Sequence, residues 1–340
     1  MAIKSFADTS AVSLAYAFTD AATATEVVAT DFQLVPFTTE GFTLSKEAKT
    51  SQAISGSRRT RGSKNTKGTA SGALTVEFGA VKFCLDMIQA ALQSTWANIN
   101  ISNPLLGKFI HDSDKHQYLA VEKTIKPEVG ATLKQSHEQY FGTLVNDVAI
   151  EFGDGELITM AINTMSANGE YNETLQGATG LGGSMARAKL APADYEIADS
   201  SNNLKSLILY DENNLAMEMT FSTASLSIEN NVREQPGLGH QFAAGMAMGK
   251  VSSSLSGDVY YYDQTVLDTH MRNKRMRGEA KIETAQGVFM FYFPNMVAQS
   301  PTSNAGGENQ DYTTSVTLTT EEGVHNGVAC CVYITYVPTP

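Results

Sequence analysis

Ser71-Gly72-Ala73-Leu74-Thr75-Val76 and Ser256-Gly257-Asp258-Val259-Tyr260-Tyr261 are two versions of one short sequence, 185 residues apart (256 − 71). Upstream of them, Phe42-Thr43-Leu44 matches Leu226-Ser227-Ile228 at an offset of 184. A long polar loop separates the two landmarks in each copy. Similar segments that recur in the same order indicate a duplicated structural unit. The sequence therefore predicts that this 340-residue chain contains one unit twice.

A third match gives the predicted boundaries of the two units. Asn146-Asp147-Val148-Ala149 resembles Asn295-Met296-Val297-Ala298 at an offset of 149, so the first copy would contain 36 additional residues (185 − 149) within 93–140. We predict a first domain at 1–180 that includes this insertion, a Gly- and Ser-rich linker at 181–201, and a second domain at 202–340.

The predicted unit is mainly β, of the α+β class, with the architecture of a β-sandwich or barrel and a single helix. Apolar and polar residues alternate from Leu144 to Phe152, and a second such run follows Gly153-Asp154-Gly155, which favours a tight hairpin turn. Apolar residues spaced three and four apart from Val81 to Ala91 predict a helix after the Ser-Gly strand, with a counterpart at Val266 to Arg275.

Several ordered motifs resemble the major tail tube proteins of long, non-contractile-tailed bacteriophages (siphophages). Phe141 to Asn146 stands where that family has a G-x-x-V-N strand. Ser225 to Arg233 is similar to its S-x-x-x-x-N-N strand, and Asn304 to Asp311 is similar to its N-A-G-G-x-x-Q-D segment. The resemblance extends over nearly the whole chain, except for the region from Gln93 to Tyr140.

The resemblance implies a structural virion protein that polymerises as stacked rings into a tail tube, the conduit for genome ejection. The two units of each chain would contribute to a continuous β-barrel lumen. Duplication suggests a ring of three chains with pseudo-sixfold symmetry, and a ring of six chains with a decorating second domain also fits. The implied partners are other copies of the chain, a tape-measure protein, tail-tip and terminator proteins, and transiting double-stranded DNA that is not bound specifically.

The charge of the chain agrees with a channel for DNA. The net charge is −12, and an acidic or neutral wall repels phosphate and lets DNA slide, whereas a basic wall would bind it. The first candidates for the wall are Asp147, Glu151 and Glu156, followed by Glu77 and Asp258. A solvated outer face explains the same alternation equally well.

A basic cluster interrupts this acidic chain. It consists of Arg58, Arg59, Arg61, Lys64 and Lys67, in a Gly- and Ser-containing loop without interleaved aromatic residues. Three interpretations compete: a solvated loop, a contact with acidic groups of the next ring, and DNA binding. The last is the least favoured, because the loop has no aromatic residue on which a base could stack.

The sequence contains no motif that indicates an enzyme, a cofactor or a metal centre. The nearest candidate is the set His111, Asp112, Asp114 and His116, which lacks the helical spacing of a zinc site. The three cysteines have no metal-ligand spacing and are expected to remain reduced and buried. Glycines at 180, 182 and 183 do not follow a strand and precede a helix, so a dinucleotide site is not expected.

Localisation and alternative functions follow from the same features. No segment is long and apolar enough for a membrane helix, and the N-terminal region does not resemble an export signal, so we expect assembly in the host cytoplasm. The alternatives are another virion β-protein, such as a capsid decoration or tail-tip component, and a carbohydrate-binding β-sandwich. The best patch for a sugar is Tyr260 to Tyr262 with Asp258 and Asp263, which we interpret as sheet packing.

Overall fold

The computed structural model describes residues 12–19, 32–53, 59, 62–99, 106–126, 134–175, 189–260, 265–305 and 311–339. The first half contains β1 (Val12–Thr19), β2 (Phe32–Leu34), β3 (Thr39–Glu40), β4 (Thr43–Thr50), β5 (Ser63–Glu77), α1 (Lys82–Ala91), β6 (Ala97–Asn98), β7 (Lys108–His111), β8 (Tyr118–Ile125), β9 (Lys134–Gly153), β10 (Thr159–Leu175) and β11 (Lys189–Leu190). The second half contains β12 (Leu204–Tyr210), β13 (Phe221–Glu229), β14 (Arg233–Pro236), β15 (Ala243–Ala247), β16 (Ser252–Tyr260), α2 (Thr265–Met271), β17 (Met276–Thr284), β18 (Gly287–Ala305), β19 (Tyr312–Thr320), β20 (Gly323–His325), β21 (Val328–Cys330) and β22 (Tyr333–Pro338). The mainly β fold predicted from the sequence is confirmed, but the sheets do not close into a barrel within the chain.

The two halves have the same antiparallel strand order. In the first half, neighbouring strands run β1-β8-β9-β10-β5-β4. In the second half the order is β12-β17-β18-β19-β16-β13. A helix follows the strand with the Ser-Gly motif in both halves, although α2 ends at Met271, four residues before the predicted Arg275. The arrangement of strands therefore repeats as the sequence matches do.

Strand pairing keeps the first offset and corrects the other two. With Ser71 equated to Ser256, the hydroxyl pair Ser45–Thr69 corresponds to Ser227–Ser254, both 2.8 Å apart, which gives an offset of 182 (227 − 45) for this strand. The offset of 184 equates Thr43 with Ser227, whereas strand pairing equates Ser45 with Ser227. The sequence match is therefore two residues out of register.

The third offset changes by six residues. Asp147 pairs with Asn163 in the first half, and the corresponding row of the second half contains Thr302 and Ser315, so the offset is 155 (302 − 147) and not 149. Both rows adjoin a shift in pairing register, which lies between Asn163 and Thr164 in the first half and between Gln299 and Thr302 in the second. The repeated irregularity supports the corrected alignment.

The glycine of each Ser-Gly motif allows a close approach from the neighbouring strand. A Cβ atom on Gly72 would lie 2.3 Å from ring carbons of Phe42, and one on Gly257 would lie 2.2 Å from the carbonyl oxygen of Thr223. Side chains larger than hydrogen at these two positions would push the strands apart, because such separations are far below van der Waals contact. This requirement explains why the two motifs share a glycine.

The two halves join by direct strand pairing. Residues Thr223–Glu229 of β13 pair antiparallel with Asp147–Gly153 of β9. The earlier part of β9 pairs with β8 on that same side, so β9 changes its neighbour close to Asn146, where its register with β10 also shifts. The bulge thus redirects the strand from one neighbour to the other.

Hydrogen bonds of two asparagine residues stabilise this junction. The Asn230 Nδ2 donates to the carbonyl oxygens of Ala91, at the end of α1, and Val145, at 2.8 and 3.0 Å, and the side chain is fully buried. The Asn230 backbone N–H donates to the Asn146 carbonyl oxygen at 2.7 Å, and the Asn146 Oδ1 accepts from the Val232 N–H at 2.8 Å. The motifs at Asn146 and at Asn230 therefore meet in space.

The core extends through both halves. One contiguous cluster of buried residues contains members of each half, and the Phe78 and Phe289 rings pack with centroids 5.2 Å apart. The predicted insertion at 93–140 is largely part of this fold, since β8 corresponds to β17, while β7 pairs with β22 of the second half. The boundaries at 1–180, 181–201 and 202–340 stay a prediction, and 176–188 lie outside the described residues.

Replacing Asn230 with alanine is expected to lower the free energy of unfolding by about 2 to 3 kcal/mol, because two buried carbonyl groups lose their donor. The matched control is Asn231→Gly, since Asn231 is exposed and has a φ of 50° that glycine adopts easily, and its side chain bonds only the Lys250 carbonyl oxygen among the described contacts. Chemical denaturation measures both changes. Equal losses in the two variants would contradict the role of Asn230 as a clamp between the halves.

Candidate functional site

One continuous sheet of eight strands joins both halves, and one of its two faces is polar on the seven strands from β5 to β18. The order is β4-β5-β10-β9-β13-β16-β19-β18, continuous through the β9–β13 junction. Four rows of directly paired residues form this polar face: Gly153, Thr223, Asp258, Ser315 and Thr302; Glu77, Thr159, Glu151, Ser225, Ser256, Thr317 and Gln299; Thr75, Ala161, Ala149, Ser227, Ser254, Thr319 and Val297; Ala73, Asn163, Asp147, Glu229 and Ser252.

The composition of the polar face is narrow. None of its positions is Lys or Arg, five are Asp or Glu, and most of the others are Ser, Thr or Ala. The alternate residues of the same strands, such as Val148, Ile150 and Leu226, are buried in the core. A sheet with one packed face and one wet face alternates in this way. The absence of cations from a face this wide is what distinguishes it from an ordinary mixed surface.

The structure places four of the five acidic candidates on the polar face. Glu77 and Glu151 lie in one row, on either side of Thr159, and Asp147 and Asp258 lie in the rows beyond. The fifth, Glu156, lies outside the strands in the turn that joins β9 to β10, where it is exposed. Its place is therefore at the end of the polar face and not in one of its rows.

The sequence prediction missed one acid, Glu229. It is exposed and pairs directly with Asp147 across the junction, so two carboxylates face each other on neighbouring strands. Like charges in this position destabilise a sheet, and Asn163 and Asn146 offset the effect by donating to the Asp147 carboxylate at 2.7 and 2.9 Å. Leu226, Ser227 and Ile228 alternate between apolar and polar residues. Glu229 continues this alternation on the polar side, so the sequence pattern could have identified it.

The two lateral edges of the eight-stranded sheet are open among the described residues. At one edge, β3 and β4 pair only with β5. At the other, β18 from Thr302 to Ala305 pairs only with β19, whereas its earlier part has β17 and β22 as further neighbours. An open edge presents unpaired backbone donors and acceptors to another chain.

The described residues of the basic cluster lie on or beyond a ribbon at one end of the polar face. Strands β4 and β5 continue past Gly68 as a two-stranded ribbon, about 17 Å long for five residues per strand. Lys64 is exposed on it, Arg59 is exposed beyond it, and Arg58 and Arg61 lie outside the described residues.

Lys67 has a partner within the chain. Its Nζ lies 2.8 Å from Glu234 Oε2, and the hydrogen bond and charge of Glu234 raise the pKa of the Lys67 ammonium. Glu234 belongs to the β14–β15 hairpin, which also packs Phe242 against Gly68 and accepts the Gly68 N–H at the Gln241 carbonyl oxygen at 2.6 Å. Lys67 therefore links the ribbon to the β14–β15 hairpin. The part of the ribbon beyond Lys67 projects from the sheet.

The remaining sequence candidates form no assembled site in the described part of the chain. Asp112 Oδ1 accepts the backbone N–H groups of Cys331 and Val332, His116 stacks on Tyr118, and no group of three or more potential ligands is placed to bind a metal ion. Asp258 accepts a hydrogen bond from Ser315, while 261–263 of the tyrosine patch lie outside the described residues.

Two further sequence expectations concern cysteines and membranes. Cys84 and Cys330 are buried and all three cysteines are free, and burial raises the pKa of the Cys84 thiol to about 12, so this thiol stays protonated at neutral pH. Within the described ranges, no helix combines the length and apolar character needed to cross a bilayer.

Comparison with known proteins agrees with the architecture. A family model described as phage tail tube protein matches residues 9–320, which include both halves, the junction and all eight strands of the sheet that carries the polar face. No curated protein gives a significant match to the chain. The model covers far more than half of the sequence, and the family is a structural one, found as a component of virions. The chain belongs to the phage tail tube protein family.

Proposed function

We propose that the chain polymerises as stacked rings into a phage tail tube, with the polar face lining the channel through which the genome is ejected. The observation that supports this best is the eight-stranded sheet with an open edge on each side, whose four polar rows from β5 to β18 contain no Lys or Arg. A wall of a DNA conduit needs such a face, and a ring of identical chains needs two different edges that can join head to tail.

The strand count favours three copies in each ring. Three copies give 24 strands (3 × 8), and at a spacing of about 4.8 Å and a tilt of about 40° the barrel diameter is about 48 Å between backbones. Side chains of about 5 Å on each wall leave a bore of about 38 Å. Two copies would give a bore of about 20 Å, which a hydrated DNA duplex would already fill. Because the two halves have the same strand order, the trimer is pseudo-sixfold.

The charge of the polar face sets how DNA moves. A basic surface binds DNA nonspecifically with a Kd of about 10⁻⁴ to 10⁻⁶ M, and many such sites along a tube would hold the genome. The carboxylates Glu77, Asp147, Glu151, Glu229 and Asp258 repel phosphate instead. The hydroxyl groups between them keep the wall hydrated and offer no cation for a phosphate to displace. DNA therefore passes through the channel without being bound tightly by its wall.

We also propose the other partners that the resemblance to the family implies. Tube length is set by a tape-measure protein in the lumen, and tail-tip and terminator proteins contact the two ends of the tube. Polymerisation takes place in the host cytoplasm, and the finished tube belongs to the virion. The chain itself performs no catalysis and needs no cofactor in this role.

The internal junction predicts the pairing between copies. Ser227 pairs with Ala149 inside the chain, and the corresponding positions at the open edges are Ser45 (227 − 182) and Asn304 (149 + 155). In the variant S45C/N304C, we expect disulfides between neighbouring copies, because directly opposed strand residues lie within disulfide range. Denaturing gels without reductant should show a covalent trimer.

Three control variants calibrate this cross-link. A149C/S227C should form the same bond within one chain, since this pair is present in the structure. S45C/S303C should not cross-link, because a shift of one residue turns the side chain to the opposite face of the sheet. The single variant S45C tests whether a disulfide forms with one of the natural cysteines instead. A cross-link in S45C/S303C but not in S45C/N304C would reject the register, and a covalent hexamer would reject the trimer.

Placing cations on the polar face should slow DNA passage without preventing assembly. In the variant E77K/E151K, we expect tubes of normal appearance that bind DNA at least about tenfold more tightly at low salt, with a steeper loss of binding as salt rises. E212K/E218K is the control, since it makes the same change in net charge at exposed residues of the loop between β12 and β13. Equal DNA binding by the two variants would argue against these acids facing the channel.

The basic ribbon is proposed to contact the next ring. The opposite end of the polar face presents the exposed acids Asp154 and Glu156 in its turn, which complement the ribbon in charge. Reversing Arg58, Arg59 and Arg61 to Glu should impair polymerisation and leave the monomer folded, as judged by electron microscopy and circular dichroism. Restoring assembly by adding D154K/E156K would support this pairing of surfaces, and normal tubes from the triple variant would refute it.

A further inference from the structure

The open edge at β3 and β4 is covered at one point by a pair of charged side chains. The Gly41 N–H donates to the Ala73 carbonyl oxygen of β5 at 2.7 Å, so the polar groups of the next residue, Phe42, face outward. The Phe42 N–H donates to Glu40 Oε2 at 3.1 Å, and the Phe42 carbonyl oxygen accepts from Lys123 Nζ at 3.4 Å.

The two charged groups also bind each other. Lys123 Nζ lies 2.8 Å from Glu40 Oε1, and the two side chains are only 13% and 16% exposed. Lys123 belongs to β8, which pairs with β1 and β9 and not with the β3–β4 edge. Together the pair occupies a backbone donor and a backbone acceptor that an incoming strand would need. Charged side chains at open edges protect natural sheets from unwanted pairing.

The second half provides a comparison within the same molecule. The position equivalent to Phe42 is Ala224, since each lies opposite the glycine of its Ser-Gly motif, and β13 is here bonded to β9. The positions equivalent to Glu40 and Lys123 are Phe221, which pairs with Val259 as Glu40 pairs with Leu74, and Gly278 (123 + 155). The pair therefore occurs at the edge that is open and is replaced by uncharged residues at the edge that is already paired.

We propose that Glu40 and Lys123 form a guard on the β3–β4 edge, which must swing away before a second copy of the chain can pair there. The inference rests on the proposed function, because it assigns this edge to ring closure. The guard raises the concentration at which free chains assemble spontaneously. Growth at a tube end releases it, because many new contacts form there at once.

The test compares E40A/K123M with wild-type protein. Lys123→Met keeps the apolar stem while removing the charge. The protein concentration for half-maximal tube formation, followed by light scattering and electron microscopy, should fall by about fivefold, as expected for loss of one partly buried ion pair. The control K281M/E283A removes a more exposed pair on β17, where Lys281 Nζ and Glu283 Oε2 are 3.0 Å apart, and should assemble as wild type does.

Hydrogen exchange of the Phe42 amide gives a second measurement that does not depend on assembly. In wild-type monomer this amide should exchange slowly, and in folded E40A/K123M monomer it should exchange at least about tenfold faster. An unchanged exchange rate, or an unchanged or higher assembly concentration in the folded variant, would overturn the guard. If wild-type chains form no tubes at all, the proposed function fails, and the exchange measurement alone decides whether the guard exists.

Discussion

The antiparallel pairing of β13 with β9 is the contact on which the rest of the architecture depends. It turns two four-stranded surfaces into one eight-stranded sheet and aligns their polar sides. The bulge at Asn146 makes it possible by freeing the second part of β9 from β8, and the buried Asn230 fixes it to the end of α1. The same contact is an example, within one chain, of the edge-to-edge strand pairing that we propose between neighbouring chains.

The polar face contains an unfavourable cross-strand pair of like charges. Asp147 and Glu229 face each other across the junction, where a Lys in either place would form a favourable cross-strand pair. Local rules of this kind are broken mostly at functional positions, where a compensating gain exists elsewhere. Here the asparagines around Asp147 supply part of the compensation, and the packed core beneath the sheet supplies the remainder.

Local patterns predicted the elements well and their long-range pairing poorly. The turn at Gly153-Asp154-Gly155, helix α1 and the two Ser-Gly strands follow from alternation, spacing and turn residues. The pairing of β9 with β13 could not be predicted in this way, because it joins segments about 80 residues apart that have no local signal in common. The offset of 149 failed for a related reason: a bulge displaces the chain by residues that a motif comparison cannot detect.

The candidate site was predictable to the extent that it depends on alternation. Asp147 and Glu151 follow from the buried Val148 and Ile150, and Glu229 could have been found by the same rule. Glu156 lies in the turn after β9, where the alternation no longer applies. The ion pair of Lys67 with Glu234 joins strands β5 and β14 of different halves, and only the three-dimensional structure brings these together.

The ribbon formed by β4 and β5 lies at one end of the polar face, and the short turn between β9 and β10 lies at the other. A polymer that repeats this subunit along the channel axis would be directional, with a projecting surface at one tip and a blunt one at the opposite tip. Addition at the two tips would then proceed at different rates. A capping protein would need to recognise only one of the two ends. The polarity of the polymer would also give a molecule inside its channel a defined direction of exit.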